Sequence, residues 1–279
     1  MDMASKFKIT LIITLLILAV LTVLTVLPRH IAAQSNSCSE AVGNCNYEFT
    51  TNGVPPSYVS AIANITSTMY MQFYTNMPMF AFLYNPDWNM VCGPSAGYYG
   101  STGYWVQGII AYYVTSGSGG PGSVGNLYLW VQIYDCSGNL VWSNSPASIY
   151  YPTYTDVPWP LTSGSTWYIG YTMTSNSIIV SICEEVQTAP PNYATYWNCI
   201  NIPSQYTNKW FRSNVIWAGS PNGGYVAFYP GAGKFQFCSN SVPLYQGPLA
   251  ANAAESSNVA YTQMYNQGTT CSMYQDFQT

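Results

Sequence analysis

One histidine, His30, is present in the whole sequence, and it stands at the end of a hydrophobic leader. If the leader is removed, the rest of the chain carries no imidazole, which excludes Ser-His-Asp and Cys-His nucleophiles and histidine-ligated metals. Chemistry must then come from carboxylates, amides, hydroxyls and backbone donors. The acids beyond the leader are Glu40, Glu48, Asp87, Asp135, Asp156, Glu184, Glu185, Glu255 and Asp276. A carboxylate can take a proton from water while a side-chain amide donates to a developing oxyanion, a pairing that works in acid without histidine.

Several of these acids have simple local explanations. Asp135 opens the run Asp-Cys-Ser-Gly-Asn, and Asp87 follows Asn85 and Pro86, so both read as turn residues. Glu184 and Glu185 end a mostly apolar run, and on a strand one of the two must face inward while its neighbour faces out. A carboxyl turned into an aromatic pocket has its pKa raised by burial. Among amides, Gln107 lies within Tyr104-Trp105-Val106-Gln107-Gly108, where a Gln between bulky neighbours can turn into a groove and serve as an oxyanion donor.

Other machinery is absent from the sequence. No Gly-x-x-x-x-Gly-Lys loop occurs, and Gly117, Gly119 and Gly122 spell Gly-x-Gly-x-x-Gly without the following helical pattern that the phosphate site needs. The eight cysteines lie beyond the leader at wide spacings with no Cys-x-x-Cys pair, so they read as disulfides rather than a zinc site. Lys6, Lys8 and Arg29 belong to the leader, and the three remaining basic residues, Lys209, Arg212 and Lys234, cannot track a phosphate backbone. No cofactor, metal or nucleic acid is expected.

Charged residues make up 6% of the chain against roughly 25% in an ordinary soluble domain. A surface of hydroxyls and amides changes little in charge as pH falls through the carboxylate range, which suits an acidic exterior. The uncharged run Ile9–Leu27, preceded by Lys6 and Lys8, predicts an N-terminal hydrophobic helix that enters or crosses a membrane. Residues 1–33 are therefore read as a signal peptide, cleaved after Ala33, or as a membrane anchor. Either outcome leaves residues 34–279 as an extracytoplasmic domain at the cell surface or beyond it.

The elements that must position these residues are strands. Runs rich in Tyr, Val, Ile, Trp and Thr alternate with Gly, Pro, Ser and Asn clusters from about Thr66 onward. Leu127–Ile133 and Leu140–Trp142 form the clearest hairpin, and further strands are predicted over Met69–Tyr74, Met79–Tyr84, Tyr104–Val114, Thr166–Thr174, Ile178–Glu184, Ser213–Ala218 and Tyr225–Tyr229. Thr115–Gly125 reads as a flexible loop, Thr188–Pro191 as an ordered turn, and Ala250–Glu255 as the opening of a short helix. Strands at this density predict an all-β antiparallel sandwich in one domain. Asn64-Ile65-Thr66 is the one acceptable glycosylation sequon.

Four stretches resemble the thermopsin family, secreted acid peptidases of archaea. Tyr104-Trp105-Val106-Gln107 is similar to that family's aromatic-Trp-aliphatic-Gln strand. Thr166–Val186, with its Tyr168-Ile169-Gly170-Tyr171 strand, Ser175-Asn176 turn and second strand ending in Glu185, is similar to a strand pair in it. Asn214 to Gly224, containing Val215-Ile216-Trp217-Ala218-Gly219 and Asn222-Gly223-Gly224, resembles its Ala-Glu-Leu-Val-Trp-Gly-Gly stretch with a following Asn-Gly, and Ala253-Ala254-Glu255 leading to Val259-Ala260-Tyr261-Thr262 its Ala-Glu segment near the C-terminus. These matches are collinear over Met69–Tyr265, and a weaker similarity extends to the fungal glutamic peptidases, in which a Gln and a Glu activate water. The resemblance implies a β-sandwich acid peptidase with a polypeptide substrate, Gln107 as oxyanion donor, and Trp105 and Trp217 against the substrate. The family's glutamate position is occupied here by Asn214, so Glu185 or Glu255 takes the proton-transfer role, or the chain is a non-catalytic binding, adhesive or envelope protein.

Overall fold

A computed structural model describes residues 44–50, 56–72, 79–86, 103–144, 154–174, 178–191, 193–206, 213–219, 225–227, 233–240, 242–246, 259–261, 268–270 and 273–276. The chain divides into two units, Met1–Ser35 and Asn36–Thr279, and the described residues belong to the second. The predicted hydrophobic helix, the predicted helix over Ala250–Glu255 and Glu255 itself lie outside the described residues.

Seventeen strands make up the described part. A nine-stranded sheet contains β1 (Asn44–Thr50), β4 (Met79–Pro86), β5 (Tyr104–Ser116), β6 (Val124–Asp135), β7 (Leu140–Ser143), β8 (Tyr154–Pro158), β12 (Ser213–Gly219), β15 (Tyr245–Gln246) and β16 (Val259–Tyr261). Its order is β15-β1-β12-β4-β5-β6-β7, with β8 also on β6 and β16 also on β1. The second sheet has six strands in the order β11-β10-β9-β2-β14-β17: β11 (Thr195–Asn201), β10 (Ile179–Gln187), β9 (Thr166–Met173), β2 (Tyr58–Ile65), β14 (Gly233–Ser239) and β17 (Met273–Asp276). β3 (Tyr70–Gln72) and β13 (Tyr225–Ala227) form a separate pair. All pairings are antiparallel except β1 with β16, so the all-β antiparallel sandwich is the observed architecture.

Alternation along the strands builds the core between the sheets. Phe80, Phe82 and Tyr84 of β4, Val106, Ile110 and Tyr112 of β5, and Leu127, Leu129, Val131 and Ile133 of β6 face Val59, Ala61 and Ala63 of β2, Trp167, Ile169 and Tyr171 of β9, and Ile182 and Val186 of β10. Aromatic pairs join the layers: Phe80 meets Trp167 edge-on at 4.9 Å, and Tyr84 stacks on Tyr171 at 4.4 Å. Each such pair adds about 0.5–1.5 kcal/mol beyond the area it buries.

The turns follow their residue chemistry. Asp135 Oδ1 accepts from the backbone N–H groups of Ser137 (2.8 Å) and Asn139 (2.9 Å), and Gly138 takes the positive φ of 82° that closes the hairpin. Its carboxyl is held below the ordinary carboxylate value, first by the Asn139 side-chain amide and then by these backbone donors. The Gly- and Ser-rich connection expected to be a flexible loop is instead a defined turn. Ser123 Oγ accepts from Gly119 N (2.9 Å) and Gly120 N (3.1 Å), and β5 and β6 run into it from either side. Cys183 and Cys199 sit directly opposite each other on β10 and β11 and form a disulfide, and Cys136 and Cys238 each take part in a disulfide.

Candidate functional site

Gln107 occupies the outer face of the nine-stranded sheet, on the side of β5 away from the second sheet. Its odd-numbered neighbours Ile109, Ala111 and Tyr113 belong to a second buried cluster on that face, with Met79 and Ala81 of β4 and Tyr128 and Trp130 of β6. Gln107 is 5% exposed, and its cross-strand partner is Gln132, which is 7% exposed. Gln107 Nε2 donates to Gln132 Oε1 at 2.8 Å, and the Tyr134 hydroxyl donates to the same oxygen at 2.8 Å. Ser143 of β7 lies opposite Gln132 and continues the row, also buried. Two donors on one acceptor fix the Gln132 amide, and that in turn fixes the direction of the Gln107 amide.

Around this amide pair the face changes character. One row toward the start of β5, Trp105 and Tyr134 are half-buried with ring centroids 5.5 Å apart. One row the other way, Trp130 is 6% exposed and its Nε1–H has no partner. The pair of amides therefore sits just behind a half-exposed aromatic rim, beside a buried orphan donor. A buried polar group without a partner costs about 1–3 kcal/mol, so the Trp130 N–H is an unsatisfied donor on this face.

The register shows where the other expected residues fall. Trp217 on β12 lies opposite Leu83 on β4 and Asn46 on β1, two residues along β12 from Val215. Continuing the β4–β5 register one step past Tyr84↔Gly108 puts Asn85 opposite Gln107; Asn85 pairs with Val215, and Val215 with Glu48. On that continuation Glu48 falls in the row of Gln107, three strand spacings or about 14 Å along the sheet. Sequence reasoning did not single it out. Asn214 pairs with Pro86 and Phe49, one residue out of step with that row.

Glu185 is not brought to Gln107. It lies on β10 in the second sheet, between Tyr168 of β9 and Trp197 of β11, and its half-buried side chain alternates with the buried Ile182, Glu184 and Val186. Strand parity sends Glu185 to the outer face of the second sheet while Gln107 is on the outer face of the first, with the whole core between them. The expected Gln107–Glu185 dyad is therefore not formed.

The inward carboxyl of the pair is Glu184, 1% exposed. It crosses the interlayer, and its Oε1 accepts the backbone N–H of Ile109 at 2.7 Å, two residues after Gln107. Its Oε2 is buried without a partner. Burial pushes the Glu184 pKa well above the ordinary carboxyl value, and the Ile109 N–H opposes this only in part. Beside it the Tyr171 hydroxyl accepts from Gly108 N at 3.0 Å and donates to the Tyr84 carbonyl. Gly108 itself leaves the room for this: a Cβ there would come within 2.8 Å of Ile169 Cγ2 and 3.2 Å of Glu184 Oε1.

On the outer face of the second sheet, Trp197 is 59% exposed beside Glu185. A Cβ on Gly170 would fall 2.1 Å from the Tyr168 hydroxyl, so the Tyr168 side chain runs along its own strand over Gly170. Among the described residues, no group of three or more His, Cys, Asp or Glu side chains is placed to hold a metal.

No family model matches the sequence, and no curated protein matches it. Among solved structures, the chain is similar to scytalido-glutamic peptidase with a transition state analog inhibitor, at TM-score 0.39 and 13% identity, over 84% of this chain and 98% of that one. It is also similar to SCP-B, a member of the Eqolisin family of peptidases in a complex with the tripeptide Ala-Ile-His, at TM-score 0.37 and 12% identity with the same coverage.

Proposed function

We propose that the chain is a thermopsin-like acid endopeptidase, secreted or membrane-anchored, that hydrolyses peptide bonds at the outer face of the nine-stranded sheet. The observation that carries the reading is the oriented amide of Gln107, buried just behind the Trp105–Tyr134 rim. A donor fixed in advance needs no reorganisation when charge develops on a carbonyl oxygen, which is what oxyanion stabilisation requires. The Gln107 side chain is an amide donor, the kind of group that a developing substrate oxyanion needs, and its bond to Gln132 orients it. Trp130 Nε1–H supplies a second donor on the same face. Trp105 and Trp217 contact the polypeptide, and the general base is Glu48 or Glu255, not Glu185.

The test is cleavage of an unfolded protein by the purified chain from acid to neutral pH, with Gln107→Ala, Glu48→Gln, Glu255→Gln and Glu185→Gln alongside. Acid-dependent cleavage should fall by about 10²–10³ in kcat for Gln107→Ala, the usual loss for an oxyanion donor. One of the Glu48 and Glu255 variants should be as impaired, and Glu185→Gln should be unaffected. Wild-type protein that cleaves nothing at any pH, or a fully active Gln107→Ala, would sink the peptidase reading. The surface around Trp197, Glu185 and Tyr168 favours a second reading, a binding or adhesive protein whose exposed aromatics stack on a ligand at the second sheet.

A further inference from the structure

The β4–β5 ladder ends at Tyr84↔Gly108, although β4 continues to Pro86 and β5 begins at Tyr104. At that end the Tyr171 hydroxyl sits between the paired residues, taking the Gly108 N–H and giving its proton to the Tyr84 carbonyl. One residue further, Glu184 Oε1 takes the Ile109 N–H. Two successive β5 amides are thus held by side chains reaching across from the second sheet, in the two positions that follow Gln107.

We infer that Glu184, with Tyr171, is a positioning residue for Gln107: it anchors the β5 backbone at the last two pairs of the β4–β5 ladder, and so sets the direction in which the Gln107 amide points on the opposite face. This rests on the reading of Gln107 as the oxyanion donor. The geometry demands a neutral carboxyl. Glu184 has one hydrogen-bond donor for two buried oxygens, and an ionised carboxylate left in this state carries a large desolvation penalty. The titratable groups facing it are the hydroxyls of Tyr171 on β9 and, stacked on that ring, Tyr84 on β4. Around it also lie the β5 backbone at Ile109 and its own cross-strand partners Asn198 on β11 and Ile169 on β9. Glu184 is the sole Asp, Glu, Lys or Arg among the buried described residues, so no buried cation offsets its ionisation. Protonated, it keeps Ile109 in place; ionised, it is driven toward solvent and releases the strand. The anchor is therefore acid-dependent, in the same direction as the proposed activity.

The experiment follows the side-chain amide resonances of Gln107 and Gln132 in protein labelled with ¹⁵N-glutamine, assigned by their loss in Gln107→Ala and Gln132→Ala. Wild type, Glu184→Gln and Glu184→Leu are titrated from acid to weakly alkaline pH, and cleavage is assayed on the same samples. Glutamine can accept the Ile109 N–H but has no proton to lose. The Gln107 signals should move with pH in wild type, stay at their acid positions in Glu184→Gln, and be displaced at every pH in Glu184→Leu. In cleavage, Glu184→Leu should lose about 10²-fold in kcat with KM nearly unchanged, as expected for a misplacement of the order of an ångström, and Glu184→Gln should remain active to higher pH than wild type. Identical titration of Gln107 in wild type and Glu184→Gln overturns the inference, even where Glu184→Leu fails to fold. Absence of cleavage by all proteins overturns the peptidase reading alone, since the resonances report positioning without it.

Discussion

Replacing Glu184 by glutamine should make the protein more stable relative to wild type as pH rises. In the unfolded chain this carboxyl ionises near the ordinary value of 4.5, whereas burial in the folded chain raises its pKa well above that. The folded state therefore binds the proton more tightly than the unfolded state does. The stabilisation linked to that proton is complete below 4.5 and is lost as pH climbs toward the folded value. Between those two limits the loss is about 1.36 kcal/mol for each pH unit. Glutamine keeps the Ile109 bond and has no proton to release, so the gap between the two proteins should be constant below 4.5 and widen by that amount per unit above it. For a domain of this size a kilocalorie moves Tm by about 2–4 °C, which gives about 3–5 °C per pH unit. Calorimetric Tm measured for both proteins over acid to neutral pH tests this directly. A difference that does not change with pH would mean that Glu184 is ionised or solvated in the folded protein, and the account of its burial would fail.

Two further perturbations isolate neighbouring features. Tyr171→Phe removes the hydroxyl between Gly108 N–H and the Tyr84 carbonyl, leaving two buried backbone groups without their partner. It should cost about 2–6 kcal/mol in denaturant unfolding, at about 1–3 per unsatisfied group, and a cost below about 0.5 kcal/mol would show that water or β4 restores the pairing. Replacing Cys183 and Cys199 together by serine opens a bridge of sequence separation 16 and should lower stability by about 3 kcal/mol. An unchanged denaturation midpoint would show that the β10–β11 ladder alone holds that edge.

The strands that carry the centre of the first sheet were readable because their pattern is strong. Leu127, Leu129, Val131 and Ile133 alternate with Tyr128, Trp130, Gln132 and Tyr134, and the structure buries the first set in the core. The Asp135 turn was equally plain, since every residue in it does what its type prefers. β2 was missed because its inward side is Val59, Ala61, Ala63 and Ile65, in which small alanines give little strand signal. β11 was missed because it alternates exposed and half-buried residues at a sheet edge.

The choice between Glu184 and Glu185 was not legible for a different reason. Ile178, Ile179, Val180, Ser181 and Ile182 have no period of two, and an irregularity between Ile179 and Ser181 resets the parity. Counting from the apolar run therefore cannot say which glutamate points inward. The meeting of Gln107 with Gln132 depends on the β5–β6 register, which includes a shift between Val114 and Ser116. Nothing in either strand alone reveals it. Glu48 escaped notice because its row with Gln107 runs through β12 and β4, four segments far apart in sequence.

The order of strands also governs when the molecule can become itself. β2 has its neighbours in β9 and β14, and β1 has its neighbours in β12, β15 and β16; the contact between Asn64 and Thr166 alone closes a loop of 102 residues. A chain delivered amino end first carries its earliest strands as open edges until the last third has arrived. Such long-range pairing makes folding slow and leaves the final strands to shut a structure that no earlier intermediate completes.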